Sequence, residues 1–489
     1  MVCKIDVHNT RSIAICAQDV RRLISDLLSF EPPGMEHRMR NLPVHVRKKW
    51  DGRIRLFKVK DHSFPTGLLP LVEKLLIDEG IEYEKKDCRV SVAKVHTFEM
   101  SFPFPFRTYQ GKVADIIRDE CRGIYVIGTG GGKTVMMAIA AKECGVDTLI
   151  VTPDVGLREQ TYQEFSSWMD ESLLSRDVRS EAPIIICNID SLINKDVKYF
   201  ERFKCLLIDE FHHSAANSYL KLNQLACNAY WRYGFTGTFV RPDGQDMIMH
   251  GVLSNVLMEK STSDLIEQGY LVPAKITVYR CQLKNFSRLN YRDAYNEAIY
   301  NDAFNDLVAE IAEREVLGEG NQTLILVRRI EHGQKILDLC PFAVFLSGPD
   351  SIEDRDDVKD LFKAGKVRCL IATSIFREGQ NLPNIDTLIN ARLQKSEVET
   401  KQGTGRALRL AGGTHTIEES IAAGKSHAKI YDFLLVGNKH LSNHSVDRIN
   451  QYKSERAFDI KVERCDKEII ATEKKVEKGL QRIKSIEGP

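Results

Sequence analysis

No apolar run in this chain of 489 residues approaches the length of a membrane span, and no signal-peptide pattern opens it. An integral membrane protein and an exported one are both set aside, and a cytoplasmic location is expected. Twelve cysteines are scattered from Cys3 to Cys465 without one Cys-x-x-Cys pair, so a structural zinc module is not expected and reduced thiols are. Net charge is also nearly absent. Lys and Arg total 69 against 68 Asp and Glu, leaving +1, and the overall balance advertises no polyanionic partner. Low-complexity segments and short-period repeats are missing. What is present is an ordinary globular composition, 43% hydrophobic and 28% charged, long enough to bury the cores of two or three domains.

The distribution of charge says more than its sum. From Met35 to Lys60 the chain carries Arg38, Arg40, Arg47, Lys48, Lys49, Arg53, Arg55, Lys58 and Lys60 against only Glu36 and Asp51. That density can neutralise several phosphates, and Trp50 and Phe57 among the charges can stack on bases. The bland alternative is a solvated basic strand edge.

Residues 1–95 read as a small α+β unit, with short apolar segments broken by Pro32-Pro33-Gly34, Asp51-Gly52 and Pro65-Thr66-Gly67. From Phe102 short apolar strands alternate with helical stretches: Gly123–Ile127 then a helix from Lys133 to Gly145, Thr148–Val151 then a helix through Trp168, followed by Pro183–Cys187, Cys205–Ile208 and Tyr233–Thr236. After a connection at Asp264–Pro273 the rhythm repeats with Thr323–Val327, Ala343–Leu346, Val367–Ala372 and Thr387–Asn390. Alternation of this kind predicts two parallel sheets covered by helices. Ser351 is placed to cap a helix with Asp354 near its third position, and Gly365 to end it. The expected divisions are 1–95, 96–262, 263–450 and a charged helical extension over 451–489.

Gly128-Thr129-Gly130-Gly131-Gly132-Lys133-Thr134 is the strongest local signal. Between a strand and a helix, such a turn lets backbone amides converge on phosphate, Lys133 reach β/γ oxygens and Thr134 hold Mg²⁺. Ile127 stands where the general pattern has its first glycine. Asp209 and Glu210 end the apolar strand that begins at Cys205. At a strand end of an α/β sheet, Asp209 is placed to orient Mg²⁺ and Glu210 to position an attacking water, with His212 beside them for coupling. In the second sheet region Arg406 and Arg409, three apart after Gln402 and Gly405, are predicted on one helix face as guanidinium forks for a γ-phosphate. A plain flexible loop and a solvated helix face are the alternatives, and the joint spacing disfavours both.

Taken together, residues 102–437 resemble superfamily 2 helicases of the DExH type. The resemblance implies two RecA-like domains, ATP and Mg²⁺ as cofactors, and these roles. Arg107 and Gln110 of Phe106-Arg107-Thr-Tyr109-Gln110 contact adenine. Thr152 of the Thr148–Pro153 stretch, and Asn188 and Ser191 of Asn188-Ile-Asp-Ser191-Leu, contact the nucleic-acid backbone. Thr236 and Thr238 couple hydrolysis to strand movement, as does Gln402. Thr373 touches nucleic acid, and Gly379 of Gly379-Gln380-Asn381 the nucleotide cleft. A narrower resemblance, to phage UvsW-type helicases, rests on Trp50-Asp51-Gly52-Arg53-Ile54-Arg55-Leu56, Pro65-Thr-Gly67-Leu68-Leu69, Gly269-Tyr-Leu-Val-Pro273 and His444-Ser-Val-Asp-Arg448-Ile-Asn-Gln-Tyr452. It implies branched DNA, forks or Holliday junctions, as partner, with a basic N-terminal contact through Arg47, Lys48, Lys49, Trp50, Arg53 and Arg55. It also implies a host-cell cytoplasmic location. A monomer without a membrane or zinc requirement is expected. The chain departs from the pattern at Glu171–Ala182, which lacks a double glycine, and at Thr236-Gly-Thr238, which replaces the more frequent Ser-Ala-Thr. Three rivals stay open: an ATP-switched binding or annealing protein, a translocase of a restriction system, and an RNA helicase.

Overall fold

The computed structural model describes residues 2–31, 51–89, 92–210, 216–237, 246–348, 350–373, 385–395 and 397–471. The chain divides into two compact units, residues 1–127 with 132–259, and residues 260–489 with the loop 128–131.

The first unit begins with a small mixed sheet in the order Ser63–Pro65, Arg11–Ile15, Cys3–Val7, Tyr83–Asp87. Its central strands bury alternate residues, as a sheet with one solvated face must. The helices Gln18–Leu27 and Leu69–Asp78 cover the other face, and Ile5, Ala14, Ile24, Leu28, Phe64 and Val72 form a fully buried core. The turn at Gly67 fixes how this module meets the rest of the unit. A Cβ there would stand 2.0 Å from the carbonyl oxygen of His250, in the helix Asp246–Leu253, so only glycine permits the approach.

The larger part of the unit is a seven-stranded sheet. Its order is Val256–Lys260, Arg122–Ile127, Trp231–Thr236, Cys205–Asp209, Thr148–Thr152, Ile184–Asn188, Leu174–Ser175. Pairing is parallel from Arg122–Ile127 through Leu174–Ser175. Helices Lys133–Cys144 and Val155–Trp168 cross between strands, and four of the central strands are buried along their whole length. Burial on both faces is why these segments read as unbroken apolar runs.

The second unit holds another seven-stranded parallel sheet, ordered Ala343–Leu346, Cys369–Ala372, Thr323–Leu326, Thr387–Asn390, Ala428–Val436, Ala274–Lys284, Phe458–Ile470. The predicted α/β architecture of two RecA-like sheets with a small α+β module is therefore observed. Helix Ile352–Lys363 has the expected ends: Ser351 Oγ accepts the Asp354 N–H at 3.1 Å, and Gly365 takes φ 70°.

Three expectations are corrected. Residues Phe458–Ile470 form a 13-residue strand rather than part of a helical extension, so the second sheet continues past the expected boundary at 450, which falls inside the helix Lys439–Lys453. The connection expected around Asp264–Pro273 begins inside the helix Thr262–Glu267, which opens with a reciprocal cap between Ser261 and Asp264 at 3.0 and 2.9 Å. The helix Glu397–Ala407 stops before Arg409, so Arg406 and Arg409 do not share a helix face.

Candidate nucleotide site

Strand Arg122–Ile127 runs into a loop whose backbone only glycine adopts at low cost. Gly130 has φ 84° and Gly132 φ 76°, and the Gly131 N–H closes the turn on the Gly128 oxygen at 2.9 Å. A Cβ on Gly132 would lie 2.4 Å from Gln110 Nε2, so the loop is packed as tightly as it is bent. Helix Lys133–Cys144 starts at once after it, with left-handed Gly132 in place of a side-chain cap. Positive dipole and backbone amides thus converge where a phosphate would sit, and Thr129 belongs to the same turn. This glycine cradle fits a nucleoside triphosphate, and half-buried Thr134 and buried Asp209 supply oxygen donors suited to Mg²⁺.

Opposite the loop, Lys133 Nζ meets Glu210 Oε1 at 2.5 Å. Glu210 follows the end of the strand Cys205–Asp209 and takes φ 43°, a left-handed backbone that a non-glycine residue rarely holds. Its N–H is fixed by the Phe235 oxygen at 2.8 Å and by Asp209 Oδ1 at 3.0 Å. Its second carboxylate oxygen accepts the Gly237 N–H at 3.4 Å, so fully buried Thr236 leads directly to the backbone that touches Glu210. Burial, then the charge of Glu210, pushes the Asp209 carboxyl up to about 7, against the pull of Lys133. A carboxyl so poorly compensated is primed for a cation.

Arg107 and Gln110 frame the start of helix Thr108–Asp119. Gln110 Oε1 accepts the Arg107 N–H at 2.9 Å, and Arg107 Nη1 donates to the Tyr109 hydroxyl at 3.2 Å. Just before them Phe102 and Phe104 pack on Trp168 at 5.1 and 5.9 Å between centroids, and Phe106 packs on Phe102 at 4.9 Å and stays half exposed.

The other expected contacts are more dispersed. Thr152 is fully buried and its hydroxyl is spent on the Asp154 oxygen at 3.0 Å, which leaves the strand-end backbone as the surface it can offer. Ser191 Oγ donates to the oxygen of Asn188 at 2.6 Å, shaping the turn after the strand Ile184–Asn188. Arg55 forks onto Asp51 at 2.9 and 2.6 Å, and Arg53 reaches the Ser29 oxygen at 3.1 Å, so these two cations also brace the antiparallel pair Ser29–Phe30 and Ile54–Arg55. In the second unit Thr373 ends the strand Cys369–Ala372, Arg406 is buried and Arg409 half-buried. Gln402 lies in the helix Glu397–Ala407, and only its backbone is described. Arg47, Lys48, Lys49, Trp50, His212, Thr238 and Gly379 lie outside the described residues.

Sequence reasoning quoted Arg448 without giving it a task. The structure makes it the centre of a buried network: Arg448 Nη2 reaches Asp432 Oδ1 at 2.8 Å, Tyr452 and Asn390 reach Asp432 Oδ2 at 2.7 and 3.0 Å, and Arg448 Nη1 holds the Gln394 oxygen at 2.8 Å. The Arg448/Tyr452 spacing of four on one helix face was the available signal.

Comparison with known proteins agrees with this geometry. Residues 103–241 match the family described as "Type III restriction enzyme, res subunit", and residues 303–411 match "Helicase conserved C-terminal domain". With one match on each parallel sheet, the chain belongs to the superfamily 2 helicases. More particularly, it is 23% identical to "ATP-dependent DNA helicase uvsW" of Enterobacteria phage T4 over 93% of this chain and 98% of that protein. It is 25% identical to "Probable helicase D10" of Escherichia phage T5 over 71% of this chain and 76% of that one. The solved DUF1998 helicase MrfA, bound to DNA and AMPPNP, shares the fold with TM-score 0.51 and 16% identity over 73% of this chain and 52% of that chain.

Proposed function

We propose that this helicase uses ATP to unwind or branch-migrate DNA forks and Holliday junctions in phage recombination, replication and repair, as a monomer in the host cytoplasm. The T4 relative, a DNA helicase, supports DNA as the partner. The observation that carries the reading is the Lys133–Glu210 ion pair beside buried Asp209.

That pair is a resting arrangement that ATP is built to displace. Lys133 would exchange Glu210 for the β/γ oxygens held by the turn of Gly128, Thr129, Gly130, Gly131 and Gly132, and Gln110 with Arg107 would receive the adenine. Thr134 and Asp209 would hold Mg²⁺, whose charge would neutralise the phosphate oxygens. Released from Lys133, Glu210 has a carboxylate oxygen with which to orient and polarise the attacking water, while Gly237 keeps its other oxygen in place. The change at Glu210 passes by that bond to the Thr236 strand end, the coupling route expected of Thr236 and Thr238. Arg406 and Arg409 would supply charge to the γ-phosphate. Asn188, Ser191, Thr373 and the strand-end backbone at Thr152 would hold DNA phosphates without reading sequence, and the basic N-terminal segment would hold duplex arms.

The test is ATP-dependent unwinding of a synthetic Holliday junction and a fork beside a plain duplex, with Lys133→Ala as control. Junction-selective unwinding that disappears in the variant, with DNA binding retained, is the expected result. ATP hydrolysis without strand separation on any DNA would replace it with an ATP-switched annealing protein or a translocase.

A further inference from the structure

In the first unit a cavity of about 420 Å³ opens at the end of the sheet where strands begin: Arg122 and Trp231 are the first residues of their strands and both line it. Val7, Thr66 and Leu69 of the small N-terminal module form another part of its wall. Its deep side is cationic in an unusual way. Arg122, 6% exposed, gives Nη2 to the Asn9 oxygen at 2.5 Å, while its Nε and Nη1 are closed off from water without an acceptor. Arg232, paired with Arg122 across neighbouring strands but not itself lining the cavity, is fully buried, donates Nη1 to Asn223 Oδ1 at 2.8 Å and Nη2 to the Ala226 oxygen, and its Nε also lacks an acceptor.

No carboxylate among the described residues bonds either guanidinium. Two like charges buried without a counter-ion are a costly arrangement. Burial, then the charge of Arg122, pulls Arg232 down to about 9, and burial pulls Arg122 down as well. A third guanidinium, Arg89, lies along the wall: its Nε and Nη2 fork onto exposed Asp87 at 2.9 and 2.6 Å, with Nη1 2.7 Å from Cys121 Sγ and its carbon 5.5 Å from the Tyr230 ring centroid. The lining carboxylates do not answer this charge: Asp119 and Glu120 are exposed, and Glu143 stands 3.8 Å from both Lys94 and Arg118. Buried donors without partners call for a group that the protein itself does not provide.

We infer that this cavity binds a phosphate monoester, its phosphate taken by Arg89 in exchange for exposed Asp87 and by Arg122 turning toward the cavity, and the rest of one nucleotide seated beside Tyr230 and Trp231. Guanidinium forks match phosphate oxygens, aromatic faces suit a base, and the volume suits one nucleotide rather than a duplex. The ligand is either a free mononucleotide or the 5′-phosphorylated end of a DNA strand, and it is separate from the ATP proposed for the glycine turn that follows Ile127.

Isothermal titration of the full chain, with saturating MgADP, tests this using AMP and, separately, inorganic phosphate. One additional site per chain is expected, weakened about tenfold or more in Arg89→Ala, the loss of one charge-assisted contact. It should be abolished in Arg122→Gln and kept in Lys133→Ala. Tyr230→Ala, which should weaken AMP but not inorganic phosphate, serves if Arg122→Gln does not fold. Displacement of AMP by a 5′-phosphorylated oligonucleotide, but not by its 5′-hydroxyl counterpart, assigns the site to DNA ends, and failure to displace assigns it to free nucleotide. Absence of any additional site, or an affinity unchanged in Arg89→Ala, overturns the proposal.

Discussion

Each parallel sheet buries a carboxylate, and the two are treated in opposite ways. Asp432, 1% exposed within the strand Ala428–Val436, is surrounded by donors from Arg448, Tyr452 and Asn390. Burial draws the Arg448 guanidinium down, but the charge and hydrogen bonds of Asp432 outweigh it and hold it above its ordinary value. Asp209, 4% exposed at a strand end, accepts the Glu210 N–H and faces a second carboxylate. One charge is closed within the protein and the other is left under-compensated. The first arrangement fixes a fold, and the second makes a site for a cation and a phosphate chain.

Breaking the closed network should have the largest effect. Arg448→Met leaves Asp432 buried without its cation and should cost about 3–5 kcal/mol in chemical denaturation, whereas the paired change Arg448→Met with Asp432→Leu should recover much of it. Lys133→Ala should lower ATP turnover by about a hundredfold or more, since a charge aimed at the transferred phosphoryl group is lost. Steady-state ATP hydrolysis measures this, and circular dichroism should show the fold intact.

Asp209→Asn sharpens the contrast through pH. A carboxyl raised to about 7 in the fold binds its proton more readily there than in the unfolded chain. The associated stability is fully present below the unfolded value and is lost as pH rises through about 7. The variant should therefore melt a few degrees above the parent at about pH 8 without nucleotide, with the gap closing toward about pH 4 and ATP hydrolysis abolished throughout. The smallest effect belongs to a local cap: Ser351→Ala should cost about 1 kcal/mol in denaturation and leave hydrolysis unchanged.

What the sequence made legible was local. The glycine turn, the Asp209-Glu210 strand end and the Ser351 cap are each set within a few residues. Phe458–Ile470 was misread because an edge strand faces solvent along most of its length, and its charges gave no apolar run. Arg409 was placed on a helix because its spacing from Arg406 is helical, although the helix ends at Ala407. Lys133–Glu210 and Arg448–Asp432 join residues 77 and 16 positions apart, and no local pattern announces such partners. Arg122 and Arg232, single cations in otherwise apolar strands, were a visible signal that went unused.

The strand Phe458–Ile470 pairs with Ala274–Lys284, the first strand of the second sheet. Its opening strand must therefore wait for a partner 184 positions later, Ala274 pairing with Phe458, before its outer edge is covered. Emerging from the ribosome, the second unit has a contact between its beginning and its end to complete, a long loop closure that slows folding. A chain stopped short of that strand would present a bare 11-residue edge, ready to pair with another molecule.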